Sequence, residues 1–134
     1  MEATHKVSRV WQAVYNSDVV IRHTTAEAAE LCKYMENTFL ALKVTFCNEF
    51  FEIAGRLDVD YEELRELWLL DPRIGKSHTF VFPDQRGYGG RCLPKDLQAI
   101  ITLADRVGYD ATLLREVVRA NERMRKNSGA LSFD

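Results

Sequence analysis

Phe39-Leu40-Ala41-Leu42-Lys43-Val44-Thr45-Phe46-Cys47-Asn48-Glu49-Phe50-Phe51-Glu52-Ile53-Ala54 is the stretch whose reading decides the fold. It closes a run from Thr25 to Leu57 that meets no proline, and no glycine before Gly55. A single helix over that run would reach roughly 50 Å at 1.5 Å per residue, well above the usual length in a globular domain. Thr24, with Glu27 three residues on, offers a capping box at its start. The first half is amphipathic. The second half carries Phe39, Leu40, Leu42, Val44, Phe46, Phe50, Phe51 and Ile53, apolar nearly all round. A helix apolar on every side must be covered on every side, and the other helices of a small domain cover only part of it. A second copy of the chain is the simplest cover, which predicts a homodimer through residues 25–57. Cys32 and Cys47, among apolar neighbours, read as core thiols.

Shorter helices flank this one. Val7, Val10, Trp11 and Val14 stand at three- and four-residue spacing and predict a short amphipathic helix over 4–14. Val19-Val20-Ile21 reads as a brief strand or an extended connector. His5 and His23 have no patterned partner and read as surface or packing residues. Asp58 takes the helix end where glycine is more usual, and tolerates the left-handed conformation such an end needs. Asp60 caps a helix from Tyr61 to about Leu70 with Leu64, Leu67 and Trp68 inward, ended by Asp71-Pro72. A further helix runs from Pro94 to Val107 with Leu97, Ile100, Ile101 and Ala104 inward, closed by Gly108. The last runs from Ala111 to Lys126 with Leu113, Leu114, Val117 and Val118 inward. The fold class is all-α, a helical bundle with one long central helix. Residues 1–126 form one domain and 127–134 read as a disordered tail.

Composition narrows the function classes. The chain has 134 residues, 46% of them hydrophobic, enough for one domain with a real core. A net charge of −2 with both signs interspersed excludes a polyanion-binding surface, so no nucleic-acid partner is expected. Three cysteines, odd in number and without metal-ligand spacing, argue for reduced thiols in a cytoplasm and for no metal. No run approaches the roughly 18 apolar residues of a membrane span, and the start lacks a signal-peptide core.

The chemistry concentrates in Gly87-Tyr88-Gly89-Gly90-Arg91-Cys92-Leu93-Pro94-Lys95-Asp96. Its glycines let the backbone take conformations closed to other residues. Pro94 suits the first position of a helix. Cys92 then sits at or just before a helix N-terminus, whose dipole and free N–H groups favour a thiolate. Lys95 and Asp96 add a cation and a carboxylate within one turn, the surroundings a nucleophilic cysteine needs. The other reading is a structural thiol beside a tight turn. Lys33 and Asn37 share a helix face four residues apart and fit a polar stripe equally well. Residues 71–91 form a long polar loop carrying Arg73, Lys76, His78, Arg86 and Arg91, and predict an anion site suited to a phosphate-bearing substrate.

Three blocks in order resemble the central helical domain of the UDP-glucose/GDP-mannose dehydrogenase family. They are Glu27 to Lys43 continuing to Asn48-Glu49, then Asp71-Pro72-Arg73-Ile74-Gly75, then Gly87 to Asp96. The resemblance covers about residues 15–126 and is nearest the bacterial branch. It implies a fold like the C-terminal domain of 6-phosphogluconate dehydrogenase, and oxidation of the C6 alcohol of a nucleotide sugar to a carboxylate with two NAD in succession. It further implies that Cys92 is the nucleophile, forming a thiohemiacetal and then a thioester. Lys33 and Asn37 would stabilise the oxyanion, and Asp96 would serve proton transfer and hydrolysis. Arg73 would reach the substrate of the partner subunit. Pro83, Gly87, Tyr88 and Gly89 would lie in the substrate-contacting loop, and Cys92 and Lys95 where the nicotinamide approaches. The segment Ser77-His78-Thr79-Phe80-Val81 and the insert Pro83-Asp84-Gln85-Arg86 follow one bacterial branch of the family. No G-x-G-x-x-G turn occurs in the chain, so by itself it is expected to be inactive toward UDP-glucose. The alternative is a free-standing interaction module that kept the dimer helix and lost the chemistry.

Overall fold

Among the residues described by the structure, a computed structural model covering 2–15 and 19–128, all regular elements are helical. In chain order they are α1 (Glu2–Tyr15), α2 (Ala26–Arg56), α3 (Tyr61–Trp68), α4 (Cys92–Arg106) and α5 (Thr112–Lys126). Val19-Val20-Ile21 carries no regular secondary structure, so the strand reading does not hold and the segment is a connector. Residues 129–134, most of the expected tail, lie outside the described residues. No helix among the described residues is long and apolar enough to cross a membrane.

The chain divides into two units, residues 1–32 and 33–134, with the long helix passing from one to the other. In the first, Trp11 stacks on Tyr15 with ring centroids 5.3 Å apart, and Ser8 Oγ lies 3.2 Å from His23 Nε2. The cap of α2 is Thr25 and not Thr24, since Thr25 Oγ1 accepts from the Ala28 amide at 3.2 Å. A cap takes the N–H three residues on, and that geometry belongs to Thr25 once Ala26 is the first helical residue. Cys32 is exposed, contrary to its reading as a core thiol.

In the second unit, α2 turns small and polar side chains inward. Thr38, Ala41, Thr45 and Asn48 are buried at three- and four-residue spacing, while Phe39, Phe46, Phe50 and Ile53 stay between 41% and 60% exposed. Small inward residues let the glycine loop and α4 come close. Ala41, Tyr88, Leu97, Ile101 and Val117 form one core cluster, and Cys47, Ala54 and Tyr61 a second. Cys47 is thus the core thiol expected, and burial pushes its pKa up.

Two inward faces differ from the sequence expectation. On α3 the packed residues are Tyr61, Leu64, Arg65 and Trp68, and Leu67 is 60% exposed. Arg65 takes the inward place because Thr79 Oγ1 accepts from its Nε at 2.8 Å and its guanidinium lies 3.7 Å over the Phe80 ring. On α5 the face runs Leu114, Val117, Asn121 and Met124, which leaves Leu113 62% exposed.

The start of α3 and the ends of α2 and α4 follow the expected chemistry. Asp60 Oδ1 accepts from the Glu63 amide at 2.8 Å and caps α3. At φ 56°, Asp58 lets the Val59 amide reach back to Ala54 O at 2.9 Å. Gly108, at φ 78°, does the same for Tyr109 and Ala104 O. Both are left-handed terminators of one type, one of them without glycine.

Candidate functional site

Asp96 is fully buried near the start of α4, and a buried carboxylate requires partners. Asn37 Nδ2 donates to its Oδ2 at 2.5 Å, Lys95 Nζ donates to its Oδ1, and Lys33 Nζ stands 3.7 Å from Oδ2. The two lysine side chains are 61% and 64% exposed, so the cations stand at the solvent edge around an enclosed anion. The Lys95 ammonium first, and then the Asn37 amide, hold the Asp96 carboxyl below the usual carboxylate range. Asp96 in turn raises the pKa of Lys95. Tyr34 and the Cys92 thiol both lie in electrostatic range of that ammonium.

Local sequence explains the convergence. Lys33 and Asn37 are one turn apart on α2, and Cys92 and Asp96 one turn apart on α4. Cys92 is exposed and is the first residue of α4. Pro94 therefore stands two residues inside the helix and not at its first position. Its missing N–H still costs nothing, because the first four N–H groups of a helix have no intrahelical partner. Arg91 precedes α4 without a side-chain cap.

Gly87, Tyr88 and Gly89 lead into this helix. Gly87 and Gly90 have φ of 73° and 75°, which explains glycine at both. Tyr88 is buried, and its pKa is pushed up to about 12 by burial and then by Glu122. Pro83 lies earlier in the same loop, exposed.

Arg73 stands apart from the Asp96 cluster. Its guanidinium pairs with Asp71, Nε to Oδ1 at 2.9 Å and Nη2 to Oδ2 at 2.5 Å, and its side chain is 85% exposed. It lines a cleft of about 430 Å³ with Phe39, Phe46 and Trp68, on the outward side of α2. Of the loop cations expected at an anion site, Arg73 is thus engaged by a carboxylate and Arg86 is turned inward. Arg86 is 1% exposed, with its Nη1 2.9 Å from Glu52 Oε1, and is spent on the interior. Among the described residues no group of His, Cys, Asp and Glu could hold a metal ion.

Sequence reasoning passed over the roles of Asn48, Asn121 and Arg125, whose Nη1 donates to Tyr88 O at 3.3 Å. Asn48 and Asn121 are buried in mid-helix and bond the glycine loop. Their signal was available, because asparagine competes with the helix backbone and sits poorly among apolar helical neighbours without a partner.

The model of the UDP-glucose/GDP-mannose dehydrogenase family, central domain, matches residues 27–123. The chain is 42% identical over 98 residues to UDP-glucose 6-dehydrogenase of Pseudomonas aeruginosa, covering 73% of this chain and 21% of that protein. It is 32% identical over 123 residues to UDP-glucose 6-dehydrogenase TuaD of Bacillus subtilis, covering 91% of this chain and 26% of that protein. A UDP-glucose dehydrogenase structure from Pyrobaculum islandicum superposes with a TM-score of 0.73 at 34% identity, over 89% of this chain and 27% of that one. The chain belongs to the UDP-glucose/GDP-mannose dehydrogenase family and corresponds to its central domain. It spans between a fifth and about a quarter of the length of these relatives.

Proposed function

We propose that this domain supplies the nucleophile and the oxyanion-stabilising groups for NAD-dependent oxidation of a UDP-sugar at C6, in a protein that carries it together with nucleotide-binding domains. The observation that carries this reading is the meeting of Lys33, Asn37 and Asp96 one helical turn from an exposed Cys92. Cys92 Sγ bonds the C6 carbon at the aldehyde level, and the carbonyl oxygen takes the negative charge. Lys33 and Asn37 stabilise that oxygen. When the carbon has reached the acyl level, water attacks the thioester, the C–S bond breaks, and Asp96 orients the water and its proton while the carboxylate leaves. NAD, when bound, supplies the hydride acceptor. Cys92 and Lys95, at the exposed start of α4, are the residues that would lie against its nicotinamide. The exposed Cys92 thiol calls for a reducing compartment, the cytoplasm.

Losing one oxyanion donor costs about 10²–10³ in kcat, so Lys33→Ala is expected to fall in that range. The test of the whole reading is NADH production with UDP-glucose, by the 134-residue chain and by the chain joined to dinucleotide- and nucleotide-binding domains. The joined protein turns over and Cys92→Ala abolishes it, while the chain alone is inert. A joined protein inactive on every nucleotide sugar tried, or one indifferent to Cys92→Ala, overturns the reading in favour of an interaction module.

A further inference from the structure

The glycine loop is held from two sides by asparagine side chains. Asn48 Oδ1, on α2, accepts from the Gly87 amide at 3.1 Å and from Arg86 Nε at 2.7 Å, while Asn48 Nδ2 donates to Val44 O at 2.8 Å. Asn121, on α5, closes a two-way pair on one residue: its Oδ1 accepts from the Tyr88 amide at 2.7 Å and its Nδ2 donates to Tyr88 O at 3.0 Å. Arg86 ties the same turn to α2 through Asn48 O at 3.0 Å and Glu52 at 2.9 Å, and lies 4.4 Å over the Phe51 ring. Asn48 is 1% exposed, Arg86 1% and Asn121 7%, so these bonds do not compete with water. Gly87 fits only because it lacks a Cβ, which would stand 2.3 Å from Asn121 Oδ1.

We propose that Asn48, Asn121 and Arg86 are positioning residues that set the Gly87–Gly90 loop and, through it, the Cys92 end of α4. Three residues, Gly89, Gly90 and Arg91, separate Tyr88 from Cys92, and two of them are glycines. Arg125 Nη1, on α5, joins the hold on this turn by donating to Tyr88 O at 3.3 Å. The proposal rests on the reading of Cys92 as nucleophile for its consequence, but not for its geometry. Side-chain oxygens accept from the Gly87 and Tyr88 amides, so each amide reports on one asparagine.

The test is residue-resolved amide hydrogen exchange on the full chain, with the alkylation rate of Cys92 measured against the exposed Cys32. Asn48→Leu is expected to speed Gly87 exchange about tenfold relative to the Leu97 and Ile101 amides, and Asn121→Leu to do the same at Tyr88. Each also speeds the other's amide, because one loop is held. Asn48→Asp keeps the acceptor for Arg86 and Gly87 and retains protection. The Cys92-to-Cys32 ratio falls about threefold in the leucine variants, since the thiol loses its set orientation, and holds in Asn48→Asp. Should a leucine variant fail to fold, Arg86→Lys reads the same loop, keeping the charge beside Glu52 and losing the fork to Asn48. The proposal is overturned if loop amides speed up only in step with the core, or if the ratio is equal in all variants. A wild-type Cys92 no faster than Cys32 sinks the nucleophile reading instead, and the exchange data still decide the cradle.

Discussion

Both lysines beside Asp96 are more than half exposed, yet the carboxylate they face is closed to solvent. Its pKa is depressed from the ordinary 3.8, mainly by Lys95 and then by Asn37. A depressed carboxylate contributes stability that is fully present above the unfolded pKa and is lost as pH falls through the lower, folded one. Acid melting of the wild type is therefore expected to steepen below about pH 4. Asp96→Asn removes that component, so its melting temperature between pH 5 and pH 2 falls less than the wild type's; equal slopes would refute the linkage. The glycines allow a second residue-level contrast. At Gly87 a Cβ meets Asn121 Oδ1 at φ 73°, whereas at Gly90 φ is 75° but the space is open. Gly90→Ala should cost only the left-handed penalty, about 1–2 kcal/mol. Gly87→Ala pays that and displaces Asn121, so urea melts should rank it clearly the less stable of the two.

At the scale of elements, the sequence made α2 legible by what it lacked, a helix breaker before Gly55, and made α4 legible through Gly87–Asp96. The existence and order of the helices followed from periodicity and end signals. Which face turned inward did not follow so well. Leu67 and Leu113 have the right hydropathy but lie off the stripes Tyr61-Leu64-Arg65-Trp68 and Leu114-Val117-Asn121-Met124. Arginine and asparagine took interior places because loop groups waited there to be bonded, and such partners come from far along the chain. Residues 33 and 37 were visible as a pair, but that Asp96 would join them is a tertiary fact that only the resemblance anticipated. The helix ends at Asp58, Asp60 and Gly108 were well read, and they yield a prediction. Asp58 occupies a left-handed terminator that Gly108 fills elsewhere without strain. Asp58→Gly is expected to stabilise the chain by about 0.5–1 kcal/mol in chemical denaturation. A loss of stability would mean that the Asp58 side chain makes a contribution of its own.

For the whole molecule, the outward stripe of α2 sets the question of what covers it. Met35, Phe39, Phe46, Phe50 and Ile53 recur on one face, each at least 41% exposed. They run roughly 27 Å along the axis at 1.5 Å per residue. A strip of that length and about one helix diameter wide offers on the order of 300 Å², well short of the roughly 800 Å² per partner of a stable interface. The apolar surface continues, however, into the cleft lined by Trp68, Ile74 and Arg73, where Phe39 and Phe46 form the shared wall. Stripe and cleft form one continuous apolar surface, and a second copy of the chain, as proposed from the sequence, remains the occupant we propose for it. A copy seated there would meet the exposed Arg73 guanidinium, which suits a residue that serves the partner's substrate. Sedimentation at micromolar concentration is expected to give a dimer. Phe46→Glu with Phe50→Glu is expected to give a monomer of unchanged helicity, because both side chains are more than 40% exposed and bear little of the monomer's core. A wild-type chain that stays monomeric up to about 100 μM, where an association of roughly 5–6 kcal/mol would already show, overturns the dimer and with it the reading of Arg73.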